Sequence, residues 1–313
     1  MSSVTPLRYR QAQQLAGRTI LLMIARYAHL IPRGAVYPLA RALGSLVMVL
    51  SPRHRRIVMD NLRFVFGREK SEAALRVIAR RFYHNFCRGL LEFLRMPATS
   101  AEEIIATNIM QGKHYIDDAL ARGHGVVLIT AHYGNWETMA ARLALAGYRP
   151  LNVIARNQRD QEVTELMTSL RKHVGLRVIP RDGAIRESAR RLADNEVLGV
   201  LIDQNAGDRG VFVDFFGKLA STAAGAAVLA HRTSAAIIPI FCVRQADGTQ
   251  IAEIGPELQV QRTDDVESDV IANTAVFTKI VEDAVRRHPD HWFWLHQRWK
   301  ARPEWERERP QDR

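Results

Sequence analysis

The sequence predicts an α/β protein. A mainly parallel central sheet is flanked by helices on both faces, and an N-terminal apolar, membrane-associated helical segment precedes it. Three observations carry this expectation. Short continuous apolar runs rich in Val, Ile and Leu recur between residues 126 and 243, the pattern of strands buried on both faces. Stretches with apolar residues at helical spacing separate those runs. The first fifty residues are far more apolar than the rest of the chain.

The elements come in chain order. Residues 19–31 ("TILLMIARYAHLI") and 34–50 ("GAVYPLARALGSLVMVL") form two apolar stretches, parted by Pro32 and Arg33 and interrupted by Arg26 and Arg41. Neither reaches the ~20 apolar residues that cross a bilayer. A pair of buried core helices is one reading. Membrane attachment is favoured because Arg53, Arg55 and Arg56 come immediately after, and each cation near anionic headgroups adds ~1 kcal/mol. Arg8, Arg10 and Arg18 precede the segment, so charge asymmetry cannot orient a span. A helix pair lying in one leaflet explains both basic flanks as well as a span does. The expected organisation is therefore a membrane-associated segment over 1–50, the main α/β domain over 51–305 and a polar tail over 306–313.

Residues 70–96 read as one long helix ended by Pro97, and 112–122 as a short one. Strands are expected at 126–130, 151–155, 176–180, 197–203 and 237–243. Helices are expected at 135–146, 158–174, 183–194 and 222–234, with a last one over 268–288. The 313 residues, 47% hydrophobic, suit one large domain plus an appendage. A net charge of +11 points to a polyanionic partner: nucleic acid, anionic headgroups or an acidic protein. Cys87 and Cys242, the only cysteines, lie in apolar segments, which excludes a disulfide framework and favours a reducing compartment. No A-x-A-like site comes after the first apolar run, so no cleavable signal peptide is expected.

The chemistry concentrates in "VLITAHYGNWET", residues 127–138, where an apolar strand stops at His132 and an acid stands further on at Glu137. Five residues on a continuous helix turn through ~500°, so the two would not share a face. They meet if His132 lies in the turn and Glu137 in the first turn of the next helix, with Gly134 allowing the bend and Asn135 as N-cap. An acid folded back on an imidazole makes a base with an orienting partner. Taken alone, the same pair is more readily a satisfied histidine and a helix-start acid favoured by the macrodipole, since two residues at one spacing often arise by chance. The sequence has no G-x-S-x-G elbow and neither cysteine has a promising context, so the base would act on a hydroxyl or amine of the substrate. It has no H-E-x-x-H and no clustered Cys/His ligands, so no metal is expected.

"AHYGNWE" resembles the H-x-x-x-x-[DE] block of the lysophospholipid acyltransferase-like superfamily, and is most similar to the late lipid A acyltransferases, the lauroyl and myristoyl transferases of Gram-negative bacteria. "IARNQRD" (154–160) resembles the family's arginine block. "LIDQNAGDRGVFVDFFGKLASTAAG" (201–225) resembles its D-Q, F-V-x-F-F-G and Thr blocks. "HPDHWFWLHQRWKARP" (288–303) resembles its C-terminal signature. The resemblance spans roughly residues 15–303.

It implies transfer of an acyl chain from acyl carrier protein to a hydroxyl of a lipid A precursor, without cofactor or acyl-enzyme. His132 would be the general base and Glu137 would orient it, a contribution of ~10²–10⁴-fold. Arg156 would bind a phosphate or the oxyanion. Asp203 and Gln204 would hold loops or the pantetheine arm. Phe212, Phe215 and Phe216 are either core or acyl channel, Thr222 is a helix N-cap and a substrate contact, and Asn135 joins the substrate-facing set. Trp292, Trp294 and Trp299, interleaved with Arg298 and Lys300, suit either a nucleic-acid surface or rings at headgroup depth; the neighbouring blocks favour the latter. The implied location is the cytoplasmic side of a bacterial inner membrane. The partners are acyl carrier protein, a lipid A precursor and an anionic membrane surface, with no nucleic acid. Related members acylate ornithine lipids, aryl polyenes or glycolipids, so acceptor and chain length stay open. Acyl-CoA as donor, thioester hydrolysis by water, and a basic nucleic-acid-binding protein are the alternatives.

Overall fold

The structure, a computed structural model, describes residues 17–156 and 160–307. Arg8 and Arg10 of the basic flank, the first two residues of the helix expected from 158, and the tail beyond 307 lie outside them.

Helix α1 covers residues 17–27. After it come α2 (Arg33–Leu50), α3 (Pro52–Phe66), α4 (Glu72–Arg95), α5 (Ala101–Thr107), β1 (Asn108–Gln111) and α6 (Lys113–Leu120). The alternating region then runs β2 (Val126–Thr130), α7 (Trp136–Leu145), β3 (Leu151–Ala155), α8 (Gln161–His173), β4 (Leu176–Pro180), α9 (Ala184–Ala193) and β5 (Val197–Leu201). A hairpin, β6 (Val211–Asp214) and β7 (Leu219–Thr222), precedes α10 (Gly225–Arg232), β8 (Ala236–Arg244), β9 (Gln250–Ile254), α11 (Val266–Arg287) and the short α12 (Glu304–Arg307).

The main sheet has the order β1-β9-β8-β2-β5-β3-β4. Its centre, β8-β2-β5-β3-β4, is wholly parallel, and these are the five strands that the sequence predicts. β9 adds to β8 antiparallel, and β1 pairs parallel with β9 at the edge. Strand β2 shows why the apolar runs are continuous. Val127 and Ile129 enter one core, with Phe82, Tyr133 and Trp292, while Val126 and Leu128 enter the other, with Met139, Leu143 and Leu151. Period-two alternation therefore buries both sets.

At the N-terminus, α2 packs along α4 through Val36, Ala40 and Gly44. A Cβ at Gly44 would stand 2.8 Å from the Tyr83 carbonyl, so the two backbones meet without an intervening side chain. The opposite face of α2 leaves Tyr37, Leu46, Val49 and Leu50 exposed. Leu21, Ile24 and Ala25 of α1 pack on the second core, and Arg18 pairs with Asp160 and Glu162 at the start of α8.

Candidate active site

Parallel order places the carboxyl ends of β2 and β5 side by side, the usual location of function in such sheets. The pairing continues past the strands, where Ile202 N–H donates to Thr130 O at 3.1 Å. His132 and Asp203, a little further along each chain, thereby meet. The Asp203 carboxylate accepts His132 Nδ1–H at Oδ1 (2.8 Å) and the His132 backbone N–H at Oδ2 (3.0 Å). Trp292 Nε1–H donates to the same Oδ2 at 2.8 Å. A carboxylate only accepts, so the proton on Nδ1 is fixed, and in the neutral imidazole Nε2 carries the lone pair. Gln204 Nε2 lies 3.3 Å from that nitrogen. Burial pushes the Asp203 carboxyl up. The adjacent imidazole, with the bonds from its ring, the indole and its backbone N–H, outweighs burial and holds Asp203 below the usual carboxylate value.

Sequence proximity pairs His132 with Glu137, and the structure corrects this. Glu137 sits in the first turn of α7, as expected, but its carboxylate accepts Arg171 Nε–H at 3.0 Å and forms an ion pair with that guanidinium. Burial lowers the Arg171 pKa, and the Glu137 bond and charge more than reverse that, leaving it raised. Glu137 makes no hydrogen bond or ion pair with His132 among the described residues. It reaches the imidazole only through Trp136, whose Nε1–H donates to Glu137 Oε1 (3.2 Å) and whose ring packs edge-on to His132 at 5.0 Å. The orienting carboxylate is Asp203, 71 residues away in sequence.

The turn is rigid for a local reason. Gly134 has φ 58°, and a Cβ there would lie 1.8 Å from Cys242 O, so only glycine fits. Asn135 caps α7, its Oδ1 accepting Thr138 N–H at 3.2 Å. It is buried, and its Nδ2–H donates to Glu92, so it is held inside the protein and not turned toward a ligand. The C-terminal signature closes the other side: Gly134 N–H donates to His291 O and Phe293 N–H to His132 O, at 2.9 and 3.0 Å. A narrow recess opens at His132, lined by Phe82, Phe86, Trp136 and Phe293, with Asn85 and Asp290 at its polar end.

The remaining expected residues divide. Arg156 comes just after β3 and is exposed, with no hydrogen bond or ion pair among the described residues. It stands on the same sheet edge two strands from His132, about 10 Å across; residues 157–159 of its block lie outside the described residues. Phe212 is half-buried on β6. Phe215 and Phe216 are core: Phe215 packs on Trp292 (5.5 Å) and Trp299 (5.7 Å), and Phe216 on Phe66 (6.1 Å). Thr222 is not a helix cap. It ends β7, Ala224 occupies the N-cap of α10, and its buried hydroxyl donates to Ala220 O and accepts from Arg298. Its hydroxyl is thus taken up by β7 and the C-terminal signature and caps no helix. The expected aromatic surface is also overturned. Trp292, Trp294 and Arg298 are fully buried, because each indole N–H finds an acceptor inside, Asp203 for Trp292 and Pro289 O for Trp294. Burial also lowers His296 to about 4, and the neutral ring accepts Asn205 N–H at 2.7 Å, fixing the chain just after Asp203. Among the described residues, no cluster of three or more His, Cys, Asp or Glu side chains could hold a metal.

The class the fold and site define is a doubly covered parallel-sheet protein with a carboxylate-oriented histidine at the sheet edge and, among the described residues, no protein nucleophile hydrogen-bonded to it. Residues 9–301 match the family described as bacterial lipid A biosynthesis acyltransferase, and the chain belongs to that family; it is an acyltransferase. Over 225 residues it is 29% identical to the phosphatidylinositol mannoside acyltransferase of Mycolicibacterium smegmatis, covering 69% of this chain and 70% of the relative. Over 278 residues it is 27% identical to the lipid A biosynthesis lauroyltransferase of Escherichia coli, covering 88% of each. Over 269 residues it is 24% identical to the lipid A biosynthesis palmitoleoyltransferase of the same organism, covering 85% of each.

Proposed function

We propose that the protein moves a fatty acyl chain from acyl carrier protein to a hydroxyl of a lipid A precursor at the cytoplasmic face of a membrane, with His132 as general base. The observation that carries this reading is the commitment of His132 Nδ1 to Asp203, which points Nε2, the lone-pair nitrogen of the neutral ring, to the side of an apolar recess. Nε2 takes the acceptor's hydroxyl proton as the oxygen attacks the thioester carbonyl. The buried Asp203 charge stabilises the imidazolium that forms. Collapse of the tetrahedral intermediate expels the thiolate, and the proton on Nε2 passes to it. The exposed Arg156 on the same edge suits a phosphate of the acceptor or the developing oxyanion.

Support for a membrane surface comes from α2, 18 residues long with a mean hydropathy of 1.2 and only 17% buried. Its contacts along α4, with Arg53, Arg55 and Arg56 exposed at the start of α3, favour attachment to one leaflet over a span. The charge of +11 suits both an acidic carrier protein and a phosphorylated lipid.

The similarity to a phosphatidylinositol mannoside acyltransferase supports a second acceptor, a mannosylated phospholipid or another glycolipid. The test incubates the full-length protein with acyl carrier protein thioester or acyl-CoA and either acceptor, and reads lipids by mass spectrometry. One added acyl chain on the disaccharide lipid is expected. Addition only to the mannosylated lipid selects the second reading. Thioester loss at the same rate without acceptor would make it a thioesterase.

A further inference from the structure

Beyond the histidine and its carboxylate, the turn that carries His132 is held from outside by a charged cluster, and we infer that Glu92 is a positioning residue for the transfer reaction, acting through Asn135. This rests on the acyl-transfer reading of the site. Glu92 lies on α4 and Asn135 three residues past His132. Asn135 Nδ2–H donates to Glu92 Oε2 at 2.7 Å while its Oδ1 caps α7. One amide therefore joins two elements, and its orientation is dictated because the carboxylate can only accept. A Cβ at Gly89, one turn before Glu92, would come within 3.6 Å of the Asn135 side chain, so α4 approaches the cap closely.

Glu92 is itself fixed. Arg244, at the end of β8, donates to both its oxygens, at 2.9 and 2.5 Å. Arg88 Nε–H donates to Oε1 at 2.9 Å, and both arginines also reach Gly248 O. Burial pushes the Glu92 carboxyl up, and the two guanidinium groups outweigh it, so the group stays charged. One forked and one single guanidinium contact on the same carboxylate leave it little freedom.

The chain between cap and base is short and stiff. Gly134 is pressed against Cys242 O, so a displaced Asn135 cannot be absorbed there. Displacement passes to Trp136, which abuts the His132 ring, and to the first turn of α7. The Nδ1–Asp203 bond would survive, but the direction of Nε2 relative to the bound hydroxyl would change. Misplacement on the scale of an ångström costs up to about a hundredfold in rate.

The experiment compares wild type with Glu92→Gln, Asn135→Ala and the double variant, measuring kcat and KM for acyl transfer together with hydrogen exchange of the 127–145 backbone. Glu92→Gln is expected to lower kcat about ten- to a hundredfold with both KM values within about twofold, and to speed exchange at the first turn of α7. The double variant should lose no more kcat than Asn135→Ala alone, because both act through one bond. Glu92→Asp should not restore kcat, since the shorter side chain does not reach Asn135. A Glu92→Gln protein that melts earlier yet keeps wild-type kcat at a temperature well below its transition, or whose α7 exchange is unchanged, overturns the inference. Wild type that transfers to no lipid acceptor counts against the acyl-transfer reading instead, and the exchange comparison then decides the coupling alone.

Discussion

Two regions of this protein meet water in opposite ways. At the sheet edge around His132, a buried carboxylate has three donors, the imidazole is bonded at both nitrogens, and the cap of α7 is held at both ends of its amide. Along α1 and α2, large apolar side chains stand in solvent: Tyr27 55%, Tyr37 51%, Leu46 52%, Val49 61% and Leu50 70% exposed. The sheet edge is complete as it stands. The helical face is satisfied on the side that meets α4 and unsatisfied on the other, the feature on which the proposed membrane attachment rests. The proposed chemistry and the proposed membrane attachment thus rest on separate elements, and substitutions should separate them.

The largest effect belongs to the proposed base. His132→Ala should lower turnover at least about 10²–10⁴-fold in a protein that is still folded by circular dichroism, though with a lowered melting temperature because buried Asp203 loses its ring partner. Turnover near the wild-type rate would remove His132 from the mechanism.

Next comes a contrast between two acids. Asp203→Asn removes the charge that fixes the tautomer and stabilises the imidazolium, and should cost about 10²–10⁴-fold in kcat. Glu137→Gln loosens an ion pair to Arg171 and should cost about tenfold or less, mostly through Trp136. Circular dichroism confirms that each variant is folded. A reversed order would restore the orienting role to Glu137.

That contrast shows where sequence reading succeeds. His132 is legible because an apolar strand ends abruptly at it, and the five parallel strands are legible because burial on both faces forbids polar alternation. Asp203 is visible only as a residue of a recurring block. Its partnership depends on β5 lying next to β2, a strand order that one sequence does not reveal, so proximity along the chain favours the wrong acid. The edge strand β1, "NIMQ", and β9, "QIAEI", escape notice because polar residues break up their short apolar runs. Helix α3 reads as a basic flank because three arginines open it, although Val58, Leu62 and Val65 keep helical spacing behind them. The C-terminal tryptophans mislead by composition, since interleaved cations suggest a surface until the indole partners are known.

The helical face should respond in the other direction. Leu46→Ser with Leu50→Ser touches no core contact, so stability in water should stay within about 0.5 kcal/mol. Co-sedimentation with anionic vesicles should weaken at least about tenfold, since each leucine buried in lipid contributes about 1.5–3 kcal/mol. Turnover on a detergent-dispersed acceptor should hold. Unchanged vesicle binding would assign the exposed face another partner.

The smallest effect concerns pH and sharpens the claim that the sheet edge is internally satisfied. His296 is held neutral, lowered to about 4, so that it can accept Asn205 N–H. In the unfolded chain a histidine takes up its proton near about 6.5. Between about 6.5 and 4 the unfolded state therefore binds more protons than the folded one, and stability falls as pH drops, by at most about 1.4 kcal/mol per pH unit for this group. Urea unfolding followed across that window should show the loss, and His296→Gln, whose amide oxygen can accept the same bond without titrating, should flatten it. His84 and His288 are lowered by burial too and keep part of the slope in that variant, so the difference between the two curves isolates His296. Identical slopes would mean that the loop after Asp203 opens readily enough to solvate the ring, and that the second strand end of the site is less fixed than the first.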